Sequence, residues 1–390
     1  MRAVTFINAD MGPGQPVTLR VLGSHIVGCG VGAESGDLVV DLGGDRLLPG
    51  LINAHDHLQL NSFPLPKYGR HYSNATQWIR DFNDRIGTGD DFIACKAIPR
   101  VVRLLHGGLK NLLSGVTTVA HHDPFYPALS NESYPTQVVE KYGWSHSLEI
   151  DGEAAVRSSY LRTPAGWPWI LHAAEGVDSR AACELDRLDE LGCLGPNTLL
   201  VHGVALDYRR RARLAAVGAG LIWCPTSNLH LFGTTATVTD LVDCGRVALG
   251  SDSRLTGARD LLDEVRVAAT FGGFSDQTLE SLVTATSARL LRLEDRGTLR
   301  VGARADLVVL PAGMPLSRAS RTDLRLVMLG GEMRCGDPHY AAVLLPESRR
   351  VTLLLDSCTK CVERRVAALL NALGPSELGV DLPSATGRAA

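Results

Sequence analysis

The sequence predicts an α/β protein, a (β/α)8 TIM-like barrel of parallel strands ringed by helices, and three observations point to it. Short continuous apolar runs alternate with helical stretches through the middle of the chain, the pattern of strands buried on both faces. Several of these runs stop abruptly at an ionisable residue, as expected where barrel strands end and reactive groups gather. The first run, through Leu51 and Ile52, leads into His55-Asp56-His57. Strand side chains alternate, so the two imidazoles share a direction and Asp56 takes the other. Two like-facing imidazoles suit a metal ion, although an isolated His-x-His is more often a pair of unrelated histidines. The reading therefore depends on partners elsewhere.

In chain order, residues 1–50 alternate apolar and polar stretches with glycine punctuation, which predicts short antiparallel strands, and residues 297–345 do the same. Barrel strands are expected to end near His57, His121, Ile150, His172, His202, Cys224 and Asp252. The remaining strand must lie between Asp123 and Pro168. Residues 137–140 and a piece of 154–160 are its candidates, the alternative being a barrel distorted there. Residues 179–191 carry Ala182, Leu185, Leu188 and Leu191 at helical spacing and stop at Gly192, and residues 275–293 predict a further helix. After Tyr340 a helix is expected over 361–372, then a tail with mobile last residues.

The 390 residues exceed the usual single domain, and 40 glycines with 5% aromatic residues suit an α/β protein rich in tight turns. A formal charge of -3 gives no general reason to expect a polyanion, and the basic run Arg209 to Arg213 reads as a solvated helix face rather than a nucleic-acid contact. No leader is apparent after Met1, and no apolar stretch reaches the roughly 18 residues of a membrane span. A soluble, cytoplasmic protein without nucleic-acid or membrane partners is the expectation. The nine cysteines read as thiols of a reducing compartment, and Cys358 and Cys361 form the one close pair.

Further runs end as the first does: residues 169–171 at His172, followed by Ala-Ala-Glu175; 199–201 at His202; 247–251 at Asp252; and 115–120 at His121, His122 and Asp123. With these residues the chain resembles the amidohydrolase superfamily, in the branch of cytosine, guanine and adenosine-type deaminases and triazine hydrolases. The resemblance is carried by Pro-Gly-Leu-Ile-Asn-Ala-His-Asp-His (49–57), Gly-Val-Thr-Thr-Val (115–119), His-Ala-Ala-Glu (172–175), Val-His-Gly (201–203), Cys-Pro-Thr-Ser-Asn (224–228), Gly-Ser-Asp-Ser (250–253) and the Gly-Thr-Leu-Arg-Val-Gly-Ala-Arg-Ala-Asp-Leu-Val-Val-Leu run (297–310), all in the family's order. It implies a composite β-sandwich from residues 1–50 and 297–345 beside a hydrolase barrel at 51–296, with 346–390 left as a C-terminal helix and tail. A homodimer is the assembly it suggests.

The resemblance makes His55, His57, His172 and Asp252 the ligands of one divalent metal ion, Zn(II) before Fe(II), with a position left for water whose pKa falls to about 7. Asp252 is then the proton acceptor, Glu175 the proton donor to the substrate, and His202 the group that hydrogen-bonds the attacking oxygen and stabilises charge. Taken singly, His202 is equally a core histidine and Glu175 a helix-start carboxylate. Binuclear members carry a carboxylated lysine on the fourth strand. Here Lys141 alone lies near that region, at the wrong end of its strand, so one metal is expected unless Glu149 bridges a second.

The loop after the first motif should roof the pocket. Gln59, Asn61, Tyr68, Arg70 and Trp78, with His121 or His122, Ser227, Asn228, His230 and Arg254, are candidates to read a planar nitrogen heterocycle, and Arg254 would suit a carboxylate or phosphate on it. For several of these, a surface or packing role is as good a reading. Hydrolysis of a C–N bond, foremost deamination of an aminated heterocycle by metal-activated hydroxide, is the expected activity. Opening of a cyclic amide or imidazolone, triazine hydrolysis, and a non-catalytic scaffold on the same fold are the alternatives.

Overall fold

The computed structural model describes residues 2–12, 17–66, 70–372 and 377–382. Five short strands open the chain: β1 (Val4–Ala9), β2 (Val17–Leu22), β3 (His25–Cys29), β4 (Leu38–Asp41) and β5 (Arg46–Pro49). Eight parallel barrel strands follow: β6 (Leu51–Asp56), β7 (Val116–His121), β8 (Gln137–Val138), β9 (Gly143–Trp144), β10 (Trp169–Ala173), β11 (Thr198–His202), β12 (Gly220–Trp223) and β13 (Val247–Leu249). They form two runs, β6-β7-β8 and β13-β12-β11-β10-β9. The runs meet where Asp56 bridges Asp252, with the Asp252 amide donating to His55 O at 3.0 Å and the His57 amide to Asp252 O at 3.1 Å. On the other side, no ladder joins β8 to β9 among the described residues.

The eighth strand is thus the 137–140 candidate, shortened to two residues. Residues 153–162 are helix instead. Ile150 does not end a strand. The Ser147 side chain accepts the Ile150 amide and the Asp151 carboxylate takes the His146 amide at 2.6 Å, so the chain leaves β9 and coils into the helix Leu148–Asp151.

Ile52, Ala54, Ala120, Ile170, Val201, Ile222 and Ala248 fill the barrel interior. Leu51, Val119, Leu171, Leu200, Leu221 and Leu249 face the surrounding helices. Simple alternation from Ile52 and Ala54 would send Asp56 inward. The register of β6 on β7 shifts between Asn53 and Asp56, a bulge that reverses the phase and turns His55 and His57 in. The helix predicted over 275–293 is two, Asp276–Leu282 and Ala285–Leu290, because Val283 O accepts the Ile52 amide at 2.7 Å instead of continuing the helical ladder.

The last strands are β14 (Leu307–Leu310), β15 (Leu326–Leu329), β16 (Glu332–Gly336), β17 (Arg350–Leu355), β18 (Cys358–Glu363) and β19 (Val380–Asp381). They join β5 in a seven-stranded sheet, while β1 to β4 form another. Phe6, Leu19 and Ile26 of the second share one core with Leu307, Val309 and Met328 of the first. The C-terminal helix begins at Arg364, not Cys361, because residues 350–363 pair as an antiparallel hairpin. Along β18, Cys358 is exposed and Cys361 buried, so the two thiols do not converge. The final residues expected to be mobile, 383–390, lie outside the described residues. The basic run is on the helix Tyr208–Ala216, where Arg210 pairs with Asp186, Arg211 with Asp240 and Arg213 with Asp189.

Strands β6 and β13 approach so closely that a Cβ on Gly250 would lie 2.6 Å from His55 Cβ and 2.9 Å from its amide nitrogen. Gly250→Ala is therefore expected to destabilise the fold by about 1–3 kcal/mol, the usual cost of overpacking a closed core. A lowered urea midpoint with unchanged m-value checks this; a midpoint equal to the wild type would contradict the closeness of the strands.

Candidate metal centre and pocket

His55, His57, His122 and His172 cluster with donor atoms within 4.8 Å of one another. Their hydrogen bonds decide which nitrogens are free. His122 Nε2 lies 2.9 Å from Ser145 O, a pure acceptor, so this nitrogen carries the hydrogen. His122 Nδ1 then accepts from His55 Nδ1–H at 3.3 Å, and His55 Nε2 is left with a bare lone pair, buried and without a partner. His172 Nδ1 likewise donates to His146 O at 2.9 Å, leaving its Nε2 bare 3.3 Å from His57 Nε2. Asp252 Oδ1 stands 3.7 Å from His57 Nε2 and 3.8 Å from His55 Nε2.

Ligands of a tetrahedral ion bonded at about 2.0–2.1 Å stand about 3.4 Å apart. Bare lone pairs held this close in a buried space repel unless a cation lies between them, so the donor set fits a divalent metal. Burial, then the neighbouring imidazoles, holds His55 and His172 well below the ordinary histidine range, so both are neutral as ligands must be. His122, with both nitrogens engaged, orients His55 rather than joining the set.

Asp56, on the far face of the strand, accepts from Lys110 Nζ at 3.0 Å, Asn111 Nδ2 at 2.8 Å, Asn53 Nδ2 at 3.1 Å and Asn61 Nδ2 at 2.7 Å. Ser227 Oγ and Thr256 Oγ1 each donate to Asp252 Oδ2 at 2.7 Å, which leaves Oδ1 toward the histidines. Burial favours the neutral acid at Asp252, yet His57, His202 and the two hydroxyls prevail and hold it below the ordinary carboxylate range. His202 at the end of β11 and Asp252 three residues past β13 have φ of 77° and 55°, a left-handed conformation that non-glycine residues adopt at a cost.

Glu175 is pushed well above the ordinary range by burial, then by the charges of Asp252 and Glu184, which favours its protonated form. Its Oε1 faces His202 Nε2 at 3.6 Å. Asn228 Nδ2 donates to Thr235 Oγ1, which turns Asn228 Oδ1 to His202 Nδ1 at 2.8 Å. His202 therefore has its hydrogen on Nδ1 and an acceptor at Nε2. Glu184 holds the turn between His172 and Glu175 by accepting the Ala174 amide at 2.6 Å.

Residues 169–334 match the amidohydrolase family. A 5-methylthioadenosine/S-adenosylhomocysteine deaminase of Natronomonas pharaonis is 32% identical over 371 residues, covering 77% of this chain and 83% of that protein. The chain belongs to the amidohydrolase family. The deaminase of the same name from Haloarcula marismortui is 34% identical over a shorter 149 residues, 36% of this chain and 34% of that protein. The crystal structure of an adenosine deaminase from Xanthomonas campestris with bound zinc superposes with a TM-score of 0.69 at 18% identity, covering 85% of this chain and 92% of that one. At that identity the likeness shows the barrel fold alone.

In this amidohydrolase a cavity of about 600 Å³ opens over the histidines, lined by Gln59, Trp78, Ile79, Phe82, His122, Trp144, His146, Glu175, His202, Leu231, Asp252 and Leu255 among others. Its roof is pinned where Asn74 bridges Gly176 and the Ala75 amide donates to Glu175 O at 3.0 Å. Gln59 and Trp78 of the expected substrate contacts line it, Gln59 bonded to Asp123. Others do not. Arg70 is exposed and Tyr68 lies outside the described residues. His121 is buried behind the wall, its Nδ1 3.4 Å from the Leu58 amide, and His122 takes the place beside the cavity. Asn228 and Asn61 act through His202 and Asp56, and Ser227 through Asp252. Arg254 turns away to Glu377 at 2.7 and 2.9 Å. Glu149 is exposed, pairs with Arg180 at 2.8 Å and does not join the histidine cluster.

His146, Glu184 and Glu264 carry no strand-end signature and are visible only in the folded chain. Glu264 accepts the Thr226 amide at 2.9 Å through one oxygen, and the other is buried without a partner. Burial pushes its carboxyl from 4.5 up to about 7. Between those values the unfolded chain releases a proton that the folded chain keeps, so this group makes stability fall as pH rises, by about 3 kcal/mol over the full window. Glu264→Gln is expected to gain stability relative to wild type as pH is raised from 5 to 8 in urea denaturation. A difference that does not vary with pH would refute the buried neutral acid.

Proposed function

We propose that this amidohydrolase deaminates a purine nucleoside bearing an apolar group on its ribose, with one zinc ion held by His55, His57, His172 and Asp252. The observation that carries this reading is Glu175, its Oε1 3.6 Å from His202 Nε2, in the cavity over a metal-fitting cluster. The name of the Natronomonas relative supports the thioether nucleoside as substrate class. So does the apolar wall of Trp78, Ile79, Phe82, Leu231 and Leu255, which suits an alkylthio group beside a planar base.

A zinc ion held by this donor set would lower the pKa of a bound water to about 7. Asp252 Oδ1, the oxygen that Ser227 and Thr256 leave free, takes a proton as water adds to the carbon bearing the amino group. His202 Nε2 orients that water as an acceptor, a role set by its tautomer and different from the charge-stabilising donor that the resemblance implies. Glu175 gives its proton to the adjacent ring nitrogen. The amine then takes the proton from Asp252, the C–N bond breaks, and ammonia departs. The hydroxyl proton returns by way of His202 Nε2 to Glu175 as the carbonyl forms, so both carboxyls are restored.

The test is ammonia release by zinc-loaded protein from 5'-methylthioadenosine, adenosine, guanine, cytosine and a cyclic amide such as dihydroorotate. The thioether nucleoside should have the highest kcat/KM, Asp252→Asn should keep the fold and lose turnover, and Glu175→Gln should lose about 10²–10⁴-fold. No ammonia from any aminated ring, with the cyclic amide hydrolysed, would sink the deaminase reading.

A further inference from the structure

The C-terminal segment carries a carboxylate into the body of the protein. Glu377 is fully buried, and its two oxygens accept from Arg254 at 2.7 and 2.9 Å, from Arg321 Nη1 at 2.8 Å, and lie 3.0 Å from His106 Nε2. Arg254, Arg321 and His106 come from three separate parts of the chain. Arg321 also holds Leu378 O at 2.6 Å, and β19 pairs with β17, so the segment is anchored directly after the carboxylate.

Arg254 connects this cluster to the metal-fitting residues. Its amide donates to Asn61 Oδ1 at 3.1 Å, and Asn61 in turn holds Asp56, between His55 and His57. Its Nε donates to Arg259 O at 2.9 Å, closing the 254–259 loop from which Thr256 reaches Asp252 Oδ2. We propose that Glu377 is a positioning residue for the hydrolytic site: by fixing Arg254 it sets the 254–259 loop, and through Thr256 it keeps Asp252 Oδ1 turned toward the histidines. Removing the carboxylate leaves buried Arg254 without its ion-pair partner while Arg321 keeps Asp356, and the unpaired guanidinium loosens the loop. The C-terminal segment is then part of the machinery although it stands outside the barrel.

The proposal rests on the hydrolase reading, and its test has a readout that does not need a substrate. Zinc affinity of the full-length apo protein is measured by competition with a chromogenic chelator for wild type, Glu377→Gln and Asp45→Asn. The last removes another buried carboxylate, which pairs with the partly exposed Arg325 remote from the site, and controls for general loss of stability. Glu377→Gln is expected to bind zinc at least 10-fold more weakly, as loss of supporting partners commonly does, with Asp45→Asn within about 2-fold of wild type. On 5'-methylthioadenosine the zinc-saturated Glu377→Gln protein should lose kcat at least 10-fold with KM within about 3-fold. If Glu377→Gln does not fold, Glu377→Asp, which keeps the charge but withdraws it by one methylene, is read in the same way. Zinc affinity equal to wild type, or an equal loss in Asp45→Asn, would overturn the proposal. A wild type that binds zinc but releases no ammonia would instead overturn the functional reading and leave the zinc result to decide on Glu377.

Discussion

Asp56 carries its carboxylate in fully buried space between β6 and the helix Arg100–Leu112, with Lys110, Asn111, Asn53 and Asn61 donating to it. A buried charge is tolerated only when paired and hydrogen-bonded, so this position admits one arrangement of the strand. Asp56 out means His55 and His57 in. Lys110 also bonds Ser251 Oγ at 2.9 Å, next to Asp252, so the same ammonium ties the first barrel strand to the last. The bulge in β6, the close passage of Gly250 and the bridge between Asp56 and Asp252 all follow from this junction.

Above the junction, supporting hydrogen bonds do work that the ligands cannot do for themselves. Ser145 O sets His122, His122 sets His55, and His146 O sets His172. Each link fixes a tautomer, and the result is bare nitrogens converging where a carboxylate oxygen also points. Burial keeps those imidazoles neutral and pushes the Glu175 carboxyl upward, so one low-dielectric space suits metal ligands and a proton donor together.

The strand-end residues were legible because each is a local signal: an apolar run of strand length that stops at His, Glu or Asp needs no tertiary information. The same logic left β8 as one of two candidates, since two residues carry no periodicity, and it put a strand end at Ile150, where Ser147 caps the start of a helix. Side-chain destinations set by distant partners were not legible. Arg254 follows a strand end and reads as a substrate contact, but its partner Glu377 lies 123 residues away in sequence. His121 and His122 are adjacent, and only the position of Ser145 O decides which of them faces the cavity. His202 was legible as a site residue, whereas its role as an acceptor depends on Asn228 and Thr235.

X-ray absorption spectroscopy of zinc-loaded protein tests the metal centre most directly. The account predicts one zinc per chain, a first shell of nitrogen and oxygen at about 2.0–2.1 Å, outer-shell scattering from three imidazoles, and loss of one oxygen ligand in Asp252→Asn. A sulfur shell at about 2.3 Å, or a second metal at about 3.5–4 Å, would contradict it.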